Sequence, residues 1–249
     1  MPGPDQNMVP TDAKANRPTL LLTRPEPQSQ RFAVQVRDRF GRDWPILLSA
    51  LMQIRFFAPP IDLSSCAGVI FSSENGVAAA AAGGVPAFAT CYCVGQRTTA
   101  AARAQGWDVA LSGADSETLA SAIIAAQIPG PLLHLHGQHR AGTLAHTLRS
   151  AGIQTESAVI YDQQPRLPTT EAVALLAGTD PVLVPLFSSR SAQLFQQAAA
   201  SAQAPLWVAA LSQAVADTLT LPVARLVVAE RPDADALLLA IGALLEPAR

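Results

Sequence analysis

Val69-Ile70-Phe71-Ser72-Ser73-Glu74-Asn75-Gly76-Val77 sets how the rest of this chain is read. An apolar run stops at two hydroxyl side chains, and small residues then continue from Val77 to Ala82. That order predicts a short buried strand, a polar turn and an alanine-rich helix. A strand that gives way to a helix at Ser-Ser leaves open backbone N–H groups beside two hydroxyls, an arrangement receptive to an anion. Taken alone, the plainer reading is a serine that caps a helix and holds no ligand.

The stretch has a second copy. Val184-Pro185-Leu186-Phe187-Ser188-Ser189-Arg190-Ser191-Ala192 repeats the strand, the Phe-Ser-Ser and the helix start. Phe71 and Phe187 lie about 116 residues apart, and Cys93-Val94 and Ala209-Ala210 keep that offset. A second pair of segments also matches. Thr19 to Gly41 is an apolar run, a polar turn at Thr23-Arg24-Pro25 and a helix ending at glycine. Pro131 to Gly152 does the same, with His136-Gly137 at the turn. Two copies of so long a unit predict two similar α/β halves rather than a solenoid.

Composition agrees with that architecture. Of 249 residues, 49% are hydrophobic and only 5% aromatic, so the cores are built mainly of Ala, Val and Leu. Such cores suit helices packed closely on parallel sheets. A net charge of -2 leaves no basic footprint for nucleic acid. No apolar run is long enough to span a bilayer, and the N-terminus lacks the apolar core of a signal peptide. Cys66, Cys91 and Cys93 make an odd number, with Cys91 and Cys93 on one face of a strand. They are expected as buried thiols in a reducing cytoplasm.

Residues 1–17 are polar and proline-rich and are expected to be a disordered leader. Thr19 to Leu22 reads as a strand and Ser29 to Phe40 as a helix closed by Gly41. Pro45 to Phe57 reads as an extended connector before Pro59-Pro60. Strands are expected at Cys66 to Phe71, Thr90 to Val94, Val109 to Leu111 and Pro131 to Leu135. Helices are expected at Asn75 to Ala82, Thr98 to Gln105, Ser116 to Ala126 and Gly142 to Ala151. Thr155 to Asp162 reads as a second connector, followed by a link from Gln163 to Pro168 and a helix from Thr170 to Leu176. The last third alternates strands at Val182, Leu206 and Leu226 with helices at Ser191, Ala214 and Ala234. Parallel sheets are the consequence, and ligands in such sheets bind at the carboxyl ends of the strands. Thr23-Arg24, Ser72-Ser73, Gly95 to Thr98, His136-Gly137, Ser188-Ser189 and Ser212 all follow strand ends.

Other chemistries find little footing. His134, His136 and His139 form the one histidine cluster, and a zinc site there would need further ligands. The plain alternative is solvated or hydrogen-bonded histidines. There is no Cys-x-x-Cys, glycine-rich dinucleotide fingerprint, P-loop or nucleophile elbow. Of the two tyrosines, Tyr92 sits inside a strand and reads as core. Tyr161 lies on the second connector and is equally an amphipathic anchor or a functional group.

These motifs together resemble the uroporphyrinogen-III synthase family. Thr23-Arg24-Pro25 after the first strand looks like the start of that family. Ile70-Phe71-Ser72-Ser73-Glu74-Asn75-Gly76-Val77 is similar to its Phe-Thr-Ser-x-Asn-Gly-Val. Val94-Gly95-Gln96-Arg97-Thr98 resembles its Val-Gly-x-x-Thr turn, Val159-Ile160-Tyr161 its Val-Tyr, and Phe187-Ser188-Ser189 its second Thr-Ser. The likeness spans Thr19 to about Leu245. The departures are serine for threonine at Ser72 and Ser188, Leu211-Ser212-Gln213 where Gly and Thr are common, and His136 where arginine is frequent.

The resemblance implies two Rossmann- or flavodoxin-like parallel-sheet domains joined by a two-stranded linker, with a cleft between them. The implied division is residues 18–44 with 165–249 as one domain, 60–154 as the other, and 45–59 with 155–164 as linker strands. It implies a cyclising hydro-lyase that closes hydroxymethylbilane to uroporphyrinogen III, losing water and inverting the last pyrrole. It implies no metal and no organic cofactor, and a monomer whose partner is the linear tetrapyrrole. Carried onto this sequence, Tyr161 is the candidate catalytic residue. The candidate substrate-binding residues are Thr23, Arg24, Ser72, Ser73, Asn75, Gly95, Thr98, Gly137, Ser188, Ser189 and Ser212. A non-catalytic bilobed binder of a small anion is the leading alternative; it needs neither the Thr-Arg-Pro turn nor the tyrosine.

Overall fold

Helices and strands alternate along a computed structural model of the chain, which describes residues 17–87, 90–139 and 143–247. The elements are β1 (Thr19–Leu22), α1 (Glu26–Phe40), β2 (Ile46–Leu48), β3 (Met52–Phe56), β4 (Gly68–Phe71), α2 (Glu74–Ala82) and β5 (Thr90–Val94). They continue as α3 (Gln96–Ala104), β6 (Asp108–Gly113), α4 (Ser116–Ala125), β7 (Leu132–Gly137), α5 (Leu144–Ser150) and β8 (Thr155–Pro165). The last third holds α6 (Thr170–Leu176), β9 (Val182–Leu186), α7 (Ser189–Ala198), β10 (Leu206–Ala210), α8 (Gln213–Ala216), β11 (Arg225–Val228) and α9 (Ala234–Leu245). Apart from Arg17, the expected leader lies outside the described residues.

The chain forms two compact units. One runs to Gln53 and resumes at Pro165; the other is Ile54–Gln164. The first unit holds a five-stranded sheet in the order β11-β10-β9-β1-β2, and every pair in it is parallel. Leu20 and Leu22 point to one face, against Phe32 and Val36 of α1 and Leu237 and Ile241 of α9. Leu21 points to the other, with Val182, Val184 and Phe195. Alternate residues of one short strand thus feed two cores, which is why β1 reads as an unbroken apolar run.

The second unit is built on the order β3-β8-β7-β4-β5-β6, parallel from β8 to β6. Phe71, Cys91, Cys93 and Leu135 face α2 and α3, while Ile70, Tyr92 and Leu132 face α4 and α5. Phe71 is fully buried and packs edge-on against Trp107 at 4.9 Å. Burying a side chain of that size contributes about 1.5–3 kcal/mol.

Local chemistry sets the helix starts. Ser73 Oγ accepts from the Gly76 N–H at 3.1 Å and caps α2. Ser188 and Ser191 form a capping box on α7. Asp115 and Asp233 cap α4 and α9. The helix expected from Ser29 begins three residues earlier, at Glu26. Pro25 and Pro27 read as a turn, yet proline is well tolerated in a first helical turn because its missing N–H has no partner there anyway.

Three further expectations change. Pro45 to Phe57 is not one extended connector: β2 joins the first sheet beside β1, and β3 joins the second beside β8. The Leu51–Arg166 and Phe57–Ile160 backbone bonds show that β3 and β8 run in opposite directions. The turn expected at His136-Gly137 lies inside β7, which reaches Gly137 through a register shift between those two residues. Cys91 and Cys93 share a face as expected, their sulfurs 3.9 Å apart, but Cys66 is only partly buried. Among the described residues no helix is long and apolar enough to cross a membrane.

Candidate active site

Each sheet has a point where the strand order reverses, and ligands of open parallel sheets bind outside the strand ends there. In the second unit that point lies between β4 and β7. Its two sides are joined by Ser72 Oγ and His134 Nε2, 3.0 Å apart. Next to this contact, Ser73 Oγ and the Tyr161 hydroxyl are 2.8 Å apart. Ser73 also accepts from Gly76 N–H, so one serine oxygen joins the helix cap to the tyrosine.

The direction of the Ser73–Tyr161 bond follows from counting. Tyr161 is 5% exposed, and no other partner for its hydroxyl exists among the described residues. A buried phenol without an acceptor is costly, so Tyr161 donates and Ser73 accepts. With Gly76 N–H and Tyr161 O–H on its two lone pairs, Ser73 keeps its own proton for an outside acceptor. Burial pushes the Tyr161 phenol above its ordinary value, and the Ser73 bond pulls it partly back. The phenol therefore keeps its proton at neutral pH.

Gly137 explains how the ring fits. A Cβ there would stand 2.5 Å from Tyr161 Cζ and 2.6 Å from Cε2. Only glycine leaves the niche into which the tyrosine packs. His136, 4.9 Å from His134 ring to ring, bonds through Nδ1 to the Gly137 carbonyl at 2.7 Å. His139 lies past the strand and pairs with Asp162 at 3.5 Å. Two of the three histidines are thus buried and hydrogen-bonded, and among the described residues no group of three His, Cys, Asp or Glu could hold a metal.

The other expected residues divide into mostly half-buried turns and buried supports. Asn75 stands in the first turn of α2, one residue before Gly76. Gly95 opens α3 at φ 81, where other residues are strained, and its carbonyl takes both the N–H and the hydroxyl of Thr99. Thr98, 4% exposed, faces inward from α3.

In the first unit the order reverses between β1 and β9. Arg24, just after β1, lies over the Phe187 ring at 4.2 Å, just after β9. Thr23 is 1% exposed and its hydroxyl is sealed from solvent without a partner among the described residues. Its contribution is the carbonyl, which accepts from Leu51 N–H at 3.0 Å. Ser188 is engaged in capping, and Ser189 Oγ donates to Ala214 O at 3.3 Å. Ser212 stands at the start of α8 with no side-chain capping bond.

Sequence reasoning missed three participants. His134 as the partner of Ser72 lies inside β7, in register with Ile70, and carried no strand-end signal. Phe187 as the seat of Arg24 belongs to the second Phe-Ser-Ser, in which only the serines stand out as chemistry. Arg166 lies beside Arg24 on a cavity of about 220 Å³ and had no sequence signal.

The fold has known counterparts. A family model described as uroporphyrinogen-III synthase HemD matches residues 47–238. The uroporphyrinogen-III synthetase structure from Helicobacter pylori 26695 is similar over 92% of this chain and 99% of its own, at 15% identity and a TM-score of 0.65. A mutant uroporphyrinogen III synthase from the extremely thermophilic bacterium Thermus thermophilus is similar over 92% of this chain and 98% of its own, at 12% identity and a TM-score of 0.52. At those identities the structural likeness speaks for the fold. No curated protein sequence matches the chain. The family match covers most of the chain, including both strand-end serine pairs and Tyr161, and the chain belongs to the uroporphyrinogen-III synthase family.

Proposed function

We propose that Ser72, Ser73 and Tyr161, with Arg24 and the turn serines of the first unit, bind hydroxymethylbilane and steer its closure to uroporphyrinogen III. As a family member the chain is a lyase of tetrapyrrole biosynthesis that acts on a small linear tetrapyrrole. The observation that carries the residue assignment is the Gly76–Ser73–Tyr161 chain of hydrogen bonds at the strand-order reversal of the second unit.

The chemistry asks for few groups. The C–O bond of the terminal hydroxymethyl group breaks as its oxygen takes a proton and leaves as water. The freed carbon then bonds to the last pyrrole at the α-carbon that already carries the neighbouring bridge. That older bond breaks, the bridge carbon bonds to the ring's free α-carbon, and this carbon gives up its proton. A donor near the leaving oxygen eases the first step. Tyr161 bears a proton at neutral pH and passes its hydrogen bond to Ser73, whose own O–H is then left for an outside acceptor. A linear tetrapyrrole also closes unaided to the uninverted isomer, so the harder task is holding the last pyrrole so that its bridge-bearing carbon is attacked first. Hydroxyls and helix starts spread over both units suit that task, because the chain has 17 Lys and Arg against 19 acids.

We further propose a cytoplasmic monomer with no nucleic-acid partner and no metal or organic cofactor. The family match does not favour the non-catalytic anion binder. The test is the rate at which freshly made hydroxymethylbilane disappears. The protein should accelerate it well above buffer, equally with and without a chelator. Loss of activity on chelation, restored by a metal, would overturn the cofactor-free reading.

A further inference from the structure

At the carboxyl ends of β1 and β2 the first unit opens into the cavity that Arg24 and Arg166 share. Arg24 is held there by its stacking on Phe187. Arg166 is fixed through its backbone, whose N–H donates to Leu51 O at 2.9 Å. Its guanidinium has no hydrogen-bond or ion-pair partner among the described residues.

Further polar groups of the lining bond within the first unit. Glu26 accepts from Gln30 Nε2 at 2.9 Å. Ser29 Oγ donates to the Arg24 carbonyl at 2.9 Å, and Thr169 Oγ1 accepts from Ala172 N–H at 3.3 Å. The remaining walls are Leu48, Ala50 and Leu167, and Leu167 is 90% exposed. Two guanidinium groups stand on one small cavity that also carries the Glu26 carboxylate, and their planar forks match a second carboxylate. The apolar walls beside them suit a flat ring that carries that carboxylate.

We propose that this cavity seats one carboxylate-bearing pyrrole of the substrate. Arg24 and Arg166 hold the carboxylate, and Leu48 and Leu167 cover the ring. This rests on the reading that the substrate is a carboxylated tetrapyrrole, and it makes Arg166 a substrate-binding residue.

Two measurements on the full chain test it separately from that reading. A monopyrrole bearing acetate and propionate side chains, titrated by calorimetry, should bind the wild type. Arg166→Gln should bind it on the order of 10- to 100-fold more weakly, the span of a charged hydrogen bond. Arg166→Lys should fall between, because it keeps the charge but loses the fork. In turnover, Arg166→Gln should raise KM for hydroxymethylbilane by the same order with an unchanged melting temperature. Equal monopyrrole affinity in wild type and Arg166→Gln, or none in the wild type, overturns the subsite even if the inverted isomer is made. Arg166-dependent monopyrrole binding beside an absence of turnover would sink the wider reading and leave the subsite standing.

Discussion

Gly137→Ala should damage both stability and turnover, and by amounts the structure sets. The added Cβ would lie 2.5 Å from Tyr161 Cζ and 2.9 Å from its hydroxyl oxygen. Carbon atoms prefer about 3.5–4.0 Å, so the ring must retreat by roughly 1 Å. It has little room, because Tyr161 is almost fully buried against the core that includes Phe71 and Ile160. Such overpacking costs about 1–3 kcal/mol. The same retreat would stretch the 2.8 Å Ser73–Tyr161 contact beyond hydrogen-bond range, losing about 1 kcal/mol more. The expected destabilisation is about 2–4 kcal/mol, read from the urea midpoint at an unchanged slope. Turnover should fall about 10²-fold, as far as removal of the hydroxyl itself, because both changes break one proton path. In the Gly137→Ala/Tyr161→Phe double variant the turnover losses should not multiply. Native stability and turnover in Gly137→Ala would refute the niche. Multiplying losses would refute the shared path.

Three other outcomes follow from the same site. Tyr161→Phe should lower kcat about 10²-fold while the inverted isomer stays the main enzymatic product; wild-type turnover would remove the tyrosine from the mechanism. Ser72→Ala and Ser73→Ala should each weaken substrate binding by roughly 1 kcal/mol. Unfolding measured without ligand separates lost capping from lost contact, and affinity that holds while stability drops makes these serines structural. Burial raises the Tyr161 phenol, so the stability it carries is full below about pH 10 and is lost as pH climbs through the folded-state value. The stability gap between wild type and Tyr161→Phe should therefore narrow in strong alkali, and parallel curves would contradict the raised value.

The fold was legible because its signals are local. Leu20-Leu21-Leu22 and the two Phe-Ser-Ser stretches carry their strand and helix boundaries in their own residue types, and the alternation predicts parallel sheets. Pro45 to Phe57 was harder. Whether Ile46 to Leu48 extends a sheet or only connects depends on a partner strand distant in sequence. The candidate site was legible as turns after strands but not as the bonds between them. Ser73 was marked by its turn, yet its bond to Tyr161 joins residues 88 apart, and no periodicity reports that. Thr23 and Thr98 belong to turn motifs, but both residues are buried, because strand ends and first helical turns also pack against the core. Arg166 follows β8 in a proline-containing link, where an exposed arginine carries no pattern at all.

Above all, the proposed role of this chain is to fix which way the last pyrrole faces when the ring closes. The ratio of ring isomers formed from freshly made hydroxymethylbilane reads that role without an intermediary. It is measured with and without the protein, after oxidation and chromatographic separation of the porphyrins. Mainly the inverted isomer is expected with the protein, and mainly the uninverted isomer in buffer alone. The same uninverted product in both, at any rate of substrate loss, would contradict it.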